Sequence, residues 1–189
     1  MVVFVDGDIP CAVPHRRAVK TWLRNVAAHH GFSLGDLSIV SFSDEGLLEY
    51  NRKYLDHDTY TDIITFDHSE GQTLSGDLLI SLPRVIENAE NQGVGAEVEL
   101  RRVMVHGLLH LAGFKDKTPD DAKAMRNAED HALGMFHVEQ IFLPVTKIGN
   151  RFITWLGLHL GEINGSLQDA RGSACLKAAK SQPNLLERI

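Results

Sequence analysis

Between residues 106 and 116 the chain reads HGLLHLAGFKD. His106 and His110 are four apart, so on a helix both imidazoles leave one face with their Cβ atoms about 5–6 Å apart. Two ring nitrogens can then reach a single ion at the ~2.0–2.1 Å of a zinc–imidazole bond. Gly113 lies where that helix must end and can take the left-handed conformation that turns the chain back, which brings Asp116 toward the same point. The spacing is that of the extended zincin pattern H-E-x-x-H-x-x-G-x-x-H, with Gly107 in place of the glutamate and Asp116 in place of the third histidine. The plainer alternative is a pair of core histidines satisfied by hydrogen bonds. Against it stand the glycine and the acid, each at its pattern position. Asp116 is not needed as a helix cap either, because Thr118 followed by Pro119 fills that role. His131, on the next helix, and His137 are the rival third ligands.

The two replacements change what such a centre can do. In zinc peptidases the glutamate beside the first histidine is the general base; Gly107 has no side chain to take that proton, which argues against peptide hydrolysis by that route. A carboxylate ligand brings negative charge, so the ion is expected to acidify water less and to select less sharply for zinc. Three protein ligands leave a coordination position open, the mark of a catalytic centre. Two histidines and one carboxylate also make the facial triad of ferrous oxygenases. Histidines four apart on one helix fit the zincin arrangement better.

A centre of this kind needs a helix held against other elements. VVFV (2–5) reads as a short β-branched strand. A helix is expected from Pro14, with Val19, Trp22, Leu23 and Val26 at i, i+3, i+4 and i+7 and Gly31 as its stop. LSIVSFS (37–43) is a second strand, after which Ser43 caps a helix bearing Asp44 and Glu45 in its first turn and Leu47, Leu48, Asn51 and Tyr54 along its period. DIITFDH (62–68) and LSGDLLISL (74–82) are two strands joined as a hairpin by SEGQT. Pro83 begins a further helix that Gly93 closes. The metal helix extends from about Ala96 to Ala112, and its last part, VMVHGLLHLAG, is apolar nearly all round, hence buried. Thr118-Pro119-Asp120-Asp121 starts a final helix reaching about Leu133. The order of elements makes a complete α+β domain over 1–136. Residues 137–189 form an appendage of unassigned role, with FITWLGLHL and a short helix near Ala170–Lys180 as its coherent pieces.

With 189 residues and 43% hydrophobic content the chain can build one full core but not two ordinary domains. A net charge of −6 excludes a uniformly basic nucleic-acid surface, so any contact with RNA or DNA must come from a local patch. Cys11 and Cys175 lie outside any C-x-x-C pattern and suggest neither a disulfide framework nor a thiolate site. The first residues have no basic segment ahead of their apolar run, and no apolar stretch approaches the roughly 18 residues of a membrane span. The expected location is the cytoplasm, with no membrane partner.

HGLLHLAGFKD resembles the signature H-G-x-x-H-L-x-G-[YF]-x-H of the YbeY family of bacterial endoribonucleases, in which glycine follows the first histidine and three histidines bind zinc. LLEYNRKYLDHDTYTDIITFD and SGDLLIS resemble that family's L-N…Y-R…T-D-V-L-S-F and L-G-D-I-x-I-S blocks. Together they cover about residues 35–135, in the right order. The resemblance implies an α+β fold with a small, mixed, four-stranded sheet packed with helices and the zincin-like metal helix at the centre. It implies a single-strand-specific, metal-dependent endoribonuclease acting in rRNA maturation, including the 3′ end of small-subunit rRNA, and in ribosome quality control. His106, His110 and Asp116 would hold one divalent ion, Zn2+, and act catalytically through it. Single-stranded RNA, rRNA and the ribosome or its small subunit would be the partners. Thr61, Asp62, Gly76 and Asp77 fall in the matching strand blocks and serve equally well as turn and strand-end residues. Two positions depart from the family pattern: Asp116 replaces a histidine, and Leu55 stands where an arginine is thought to contact the RNA backbone. Arg52, Lys53 or His57 can substitute for that arginine, and Lys115 and Lys117, with Arg101 and Arg102 as helpers, can hold phosphates; ordinary solvated surface is the competing reading. The alternatives to a nuclease are a ribosome-associated binding factor with a structural metal and, argued against by Gly107, a metallopeptidase.

Overall fold

A computed structural model describes residues 1–136 and the backbone of 184–187, stretches that belong to one compact unit. In chain order the elements are β1 (Val2–Asp6), α1 (Arg16–His29), β2 (Ser33–Phe42), α2 (Asp44–Leu55), β3 (Ile63–Asp67), β4 (Thr73–Ser81), α3 (Leu82–Gln92), α4 (Ala96–Leu111), α5 (Pro119–Gly134) and β5 (Asn184–Glu187). The expected pieces of the appendage, FITWLGLHL and the helix near Ala170–Lys180, lie outside the described residues.

The sheet runs β1-β2-β4-β3-β5. β1 and β4 both pair parallel with β2, and β3 pairs antiparallel with β4 through the 68–72 turn, so β1–β4 make the mixed four-stranded sheet. β5 adds antiparallel to the outer edge of β3, Ile64 opposite Glu187. A segment set apart as appendage thus returns a strand to the sheet. NLLE is too short to show a period of its own, whereas an open strand edge offers unpaired N–H and C=O groups to any extended chain. β2 is also longer than expected: it starts at Ser33 and passes an irregularity between Leu34 and Leu37, where Gly35 and Asp36 hide the alternation that marks a strand.

Alternation along the strands gives the sheet two apolar faces. On one, Val40, Phe42, Ile64, Phe66 and Leu79 pack with Leu47 of α2. On the other, Ile63, Thr65 and Leu78 approach α4 at Gly107, and Gly76 lies under Leu111. The expected caps form, Ser43 Oγ accepting from Gly46 N and Thr118 Oγ1 from Asp121 N, and Ser81 Oγ caps α3 by accepting from Arg84 N. α1 is the exception. It begins at Arg16 rather than at Pro14, behind His15 in the left-handed region (φ 51°), and has no side-chain cap. Trp22 of α1 reaches across to α5, donating its indole N–H to Ala132 O at 2.7 Å.

Candidate metal centre

α4 is buried from Leu100 through Leu111 except at Arg101 and Arg102, so His106 and His110 project into the interior, 2% and 5% exposed. The helix ends at Ala112, and Gly113 takes φ 92°, donating its N–H to His110 O. That turn returns Asp116 to the two histidines. Asp116 Oδ2 lies 3.6 Å from His106 Nε2 and 3.6 Å from His110 Nε2. The two Nε2 atoms are 2.9 Å apart, their rings nearly perpendicular at 88°. One donor atom from each of the three residues falls within 4.8 Å of the others.

Both histidines are held by the opposite nitrogen. His110 Nδ1 lies 3.0 Å from Phe114 O, and a carbonyl only accepts, so Nδ1 carries the proton. His106 Nδ1 lies 2.7 Å from Glu129 Oε1 on α5. Burial alone would raise the Glu129 carboxyl above its ordinary value, but His106, Arg126 and Arg102 together bring it below, so Glu129 is the acceptor there too. With each Nδ1 engaged in this way, the two Nε2 atoms face the same point beside a carboxylate oxygen. The two Nε2 atoms and the carboxylate oxygen form a donor set that fits a cation, and the residues suit a divalent metal.

The rival ligands lie elsewhere or outside the described residues. His131 packs its ring against His29, centroids 4.6 Å apart, and among the described residues the cluster able to hold a metal is His106, His110 and Asp116. His137 lies outside the described residues. Lys115 and Lys117 are exposed on either side of Asp116. Arg52 is exposed in an ion pair with Asp58 at 2.6 Å, and Lys53 lies over the Tyr54 ring at 5.1 Å. Arg102 is not available to RNA: it is tied to Glu129 and Asp130 at 3.2 and 2.6 Å. Arg101 sits over Phe136 beside Glu97. Thr61 donates to Ile63 O, Asp62 accepts from Asn88, and Asp77 pairs with His68 at 3.1 Å, so the strand-block residues have structural roles. Leu55 packs against the Phe42–Phe66 cluster.

Two features were not foreseen. A Cβ at Gly107 would lie 2.7 Å from Ile63 Cδ1 and from Leu78 Cδ2; α4 approaches the sheet so closely that a larger side chain there must push both side-chain ends aside. Glu129 belongs to no motif, and its one signal in the sequence is its place four after Met125 and three before Ala132 on the buried stripe of α5, an acid at a core position of a helical period.

A sequence profile described as Endoribonuclease YbeY matches residues 11–137. The protein named Endoribonuclease YbeY from Bacteroides thetaiotaomicron is 50% identical over 120 residues, covering 64% of this chain and 88% of its own length. That of Parabacteroides distasonis is 44% identical over 138 residues, 73% of this chain and 97% of its own. The solution structure of TM1509 from Thermotoga maritima superposes with a TM-score of 0.53 at 19% identity, covering 90% of this chain and 100% of that one, a likeness of fold. The matched span contains both histidines, Asp116 and Glu129, and on these similarities the chain belongs to the endoribonuclease YbeY family.

Proposed function

We propose that this chain is a metal-dependent endoribonuclease that hydrolyses phosphodiester bonds of single-stranded RNA, with His106, His110 and Asp116 holding one divalent ion, Zn2+. The observation that carries the reading is the convergence of two Nε2 atoms and Asp116 Oδ2, each histidine tied back through Nδ1. The ion, when bound, supplies Lewis-acid polarisation of the phosphate and lowers the pKa of water. Two of the three ligands come from one buried helix, so their separation is fixed by helix geometry. Asp116 closes the site from a loop, and the exposed Lys115 and Lys117 beside it draw in the RNA backbone. Gly107 leaves no room for the general base of a peptidase, consistent with a substrate whose cleavage does not use one at that position. Ribosomal RNA is the proposed target, the ribosome or its small subunit the partner and the cytoplasm the setting; among the described residues no helix is long and apolar enough to cross a membrane.

Cleavage of a single-stranded RNA oligonucleotide by the purified protein tests the reading. His110→Ala is expected to abolish cleavage and metal binding; cleavage that survives that substitution unchanged would overturn it. Leu55, turned into the apolar cluster where a phosphate-binding cation is expected, favours a second reading, a ribosome-associated binding factor with a structural metal. That reading predicts a sharply lower melting temperature on metal removal and no nuclease activity in the intact protein.

A further inference from the structure

Glu129 is 3% exposed and comes from α5, an element that supplies no ligand. Its Oε1 meets His106 Nδ1 at 2.7 Å, and its Oε2 lies 3.2 Å from Arg102 Nη1 and 3.2 Å from Arg126 Nη1. Arg102 and His106 are one turn apart on α4, and Arg126 and Glu129 are one turn apart on α5, so the four side chains meet where the two helices pack. A buried carboxylate is costly unless paired and hydrogen-bonded. Here two guanidiniums take one oxygen, which leaves the other for the imidazole. His110 is held differently, by the carbonyl of Phe114 in its own turn. A carboxylate is the stronger acceptor of the two; it sets the tautomer of the ring and makes the far nitrogen more basic.

We propose that Glu129 is the positioning residue of the centre: by accepting the Nδ1 proton of His106 it bares Nε2 toward Asp116 and His110, and Arg102 and Arg126 hold it in that pose. The proposal rests on His106, His110 and Asp116 being the ligands. It makes metal affinity a property of the α4–α5 contact as well as of the ligands. His106, backed by charge, is the firm anchor, and His110 and Asp116 depend on the 112–116 turn.

Glu129→Gln and Glu129→Ala test it, with three measurements on the full-length protein. Zn2+ affinity from competition with a chelator is expected to fall by roughly 10- to 100-fold in Glu129→Ala. Glu129→Gln preserves volume but loses the charge, and is expected to weaken binding by about tenfold or more. Nitrogen NMR of the imidazoles in the metal-free proteins should show His106 with its proton on Nδ1 in the wild type, and a share of it moved to Nε2 in both variants. Melting curves of the metal-free proteins separate loss of fold from loss of position. If Glu129→Ala does not fold, Glu129→Gln decides alone. Wild-type affinity together with an unchanged His106 tautomer in a folded Glu129→Gln would overturn the proposal. Should the wild type bind no Zn2+, the metal reading fails, while the tautomer measurement still judges what Glu129 does to His106.

Discussion

At the scale of single residues the centre depends on Asp116, 3.6 Å from both Nε2 atoms and carried by a turn rather than a helix. Removing it leaves two ligands. Asp116→Ala is expected to lower Zn2+ occupancy of the purified protein steeply, and Asp116→His to restore it, as metal analysis of the two variants beside wild type will show. Occupancy indifferent to Asp116 would point to a different third ligand. Gly107 makes a separate demand. A methyl there would press on Ile63 and Leu78 at 2.7 Å, and overpacking of this kind costs about 1–3 kcal/mol. Gly107→Ala is therefore expected to lower the unfolding free energy from denaturant titration by that amount while leaving the three ligands in place. Lys115 and Lys117 make the electrostatic case. If each neutralises one phosphate, replacing both by Ala reduces the log–log slope of RNA affinity against salt by about 1.4, at roughly 0.7 per phosphate for single strands. An unchanged slope would return them to ordinary surface.

At the scale of elements, α4 owes its position to two different contacts. Its sheet side is glycine and leucine against Ile63, Thr65, Leu78 and Gly76, and its α5 side is the ionic frame of Arg102, His106, Arg126 and Glu129. Apolar packing determines how close the helix comes; the polar frame determines how the ring is turned. The end of α1 meets the ligand turn as well: His30 packs edge-on against Phe114, whose carbonyl holds His110, and His29 lies between His30 and His131. Burial first, then the neighbouring His29 and His131, push the His30 imidazole below its ordinary 6.5. The folded protein therefore binds this proton less readily than the unfolded chain. Its contribution to stability is complete above about pH 6.5 and is lost as pH falls through that value toward the lowered one. Thermal melting is expected to be less acid-sensitive between pH 7 and 5.5 in His30→Phe than in wild type; parallel curves would refute the role.

At the scale of the whole molecule, metal and fold are linked, since the three ligands draw together an interior helix and a surface turn. An ion at a concentration 100 times its Kd stabilises the folded state by about 2.7 kcal/mol. At roughly 2–4 °C per kcal/mol for a chain of this size, chelation is expected to lower the melting temperature by about 5–11 °C, and restored Zn2+ to reverse it. A melting curve indifferent to chelator would leave the centre without a resident ion. The net charge of −6 adds that RNA approaches a molecule that repels it on average, so binding is expected to be local and salt-sensitive.

Most outcomes that depend on neighbours in the chain are legible in the sequence; the starts of α1 at Arg16 and of β2 at Ser33 are the exceptions. The caps at Ser43 and Thr118, the stops at Gly93 and Gly113, the hairpin of β3 and β4 and the i, i+4 histidines are all set within a few residues, because hydrogen-bonded turns and helical period act over that range. What only the tertiary structure decided are pairings between residues distant along the chain. Glu129 meets His106 across 23 residues, β5 meets β3 across more than a hundred, and a Cβ at Gly107 would collide with Ile63 and Leu78, 44 and 29 residues earlier. No local period encodes these. They arise because a buried charge must find partners, an open strand edge must find hydrogen bonds, and a packed interior admits no extra atom.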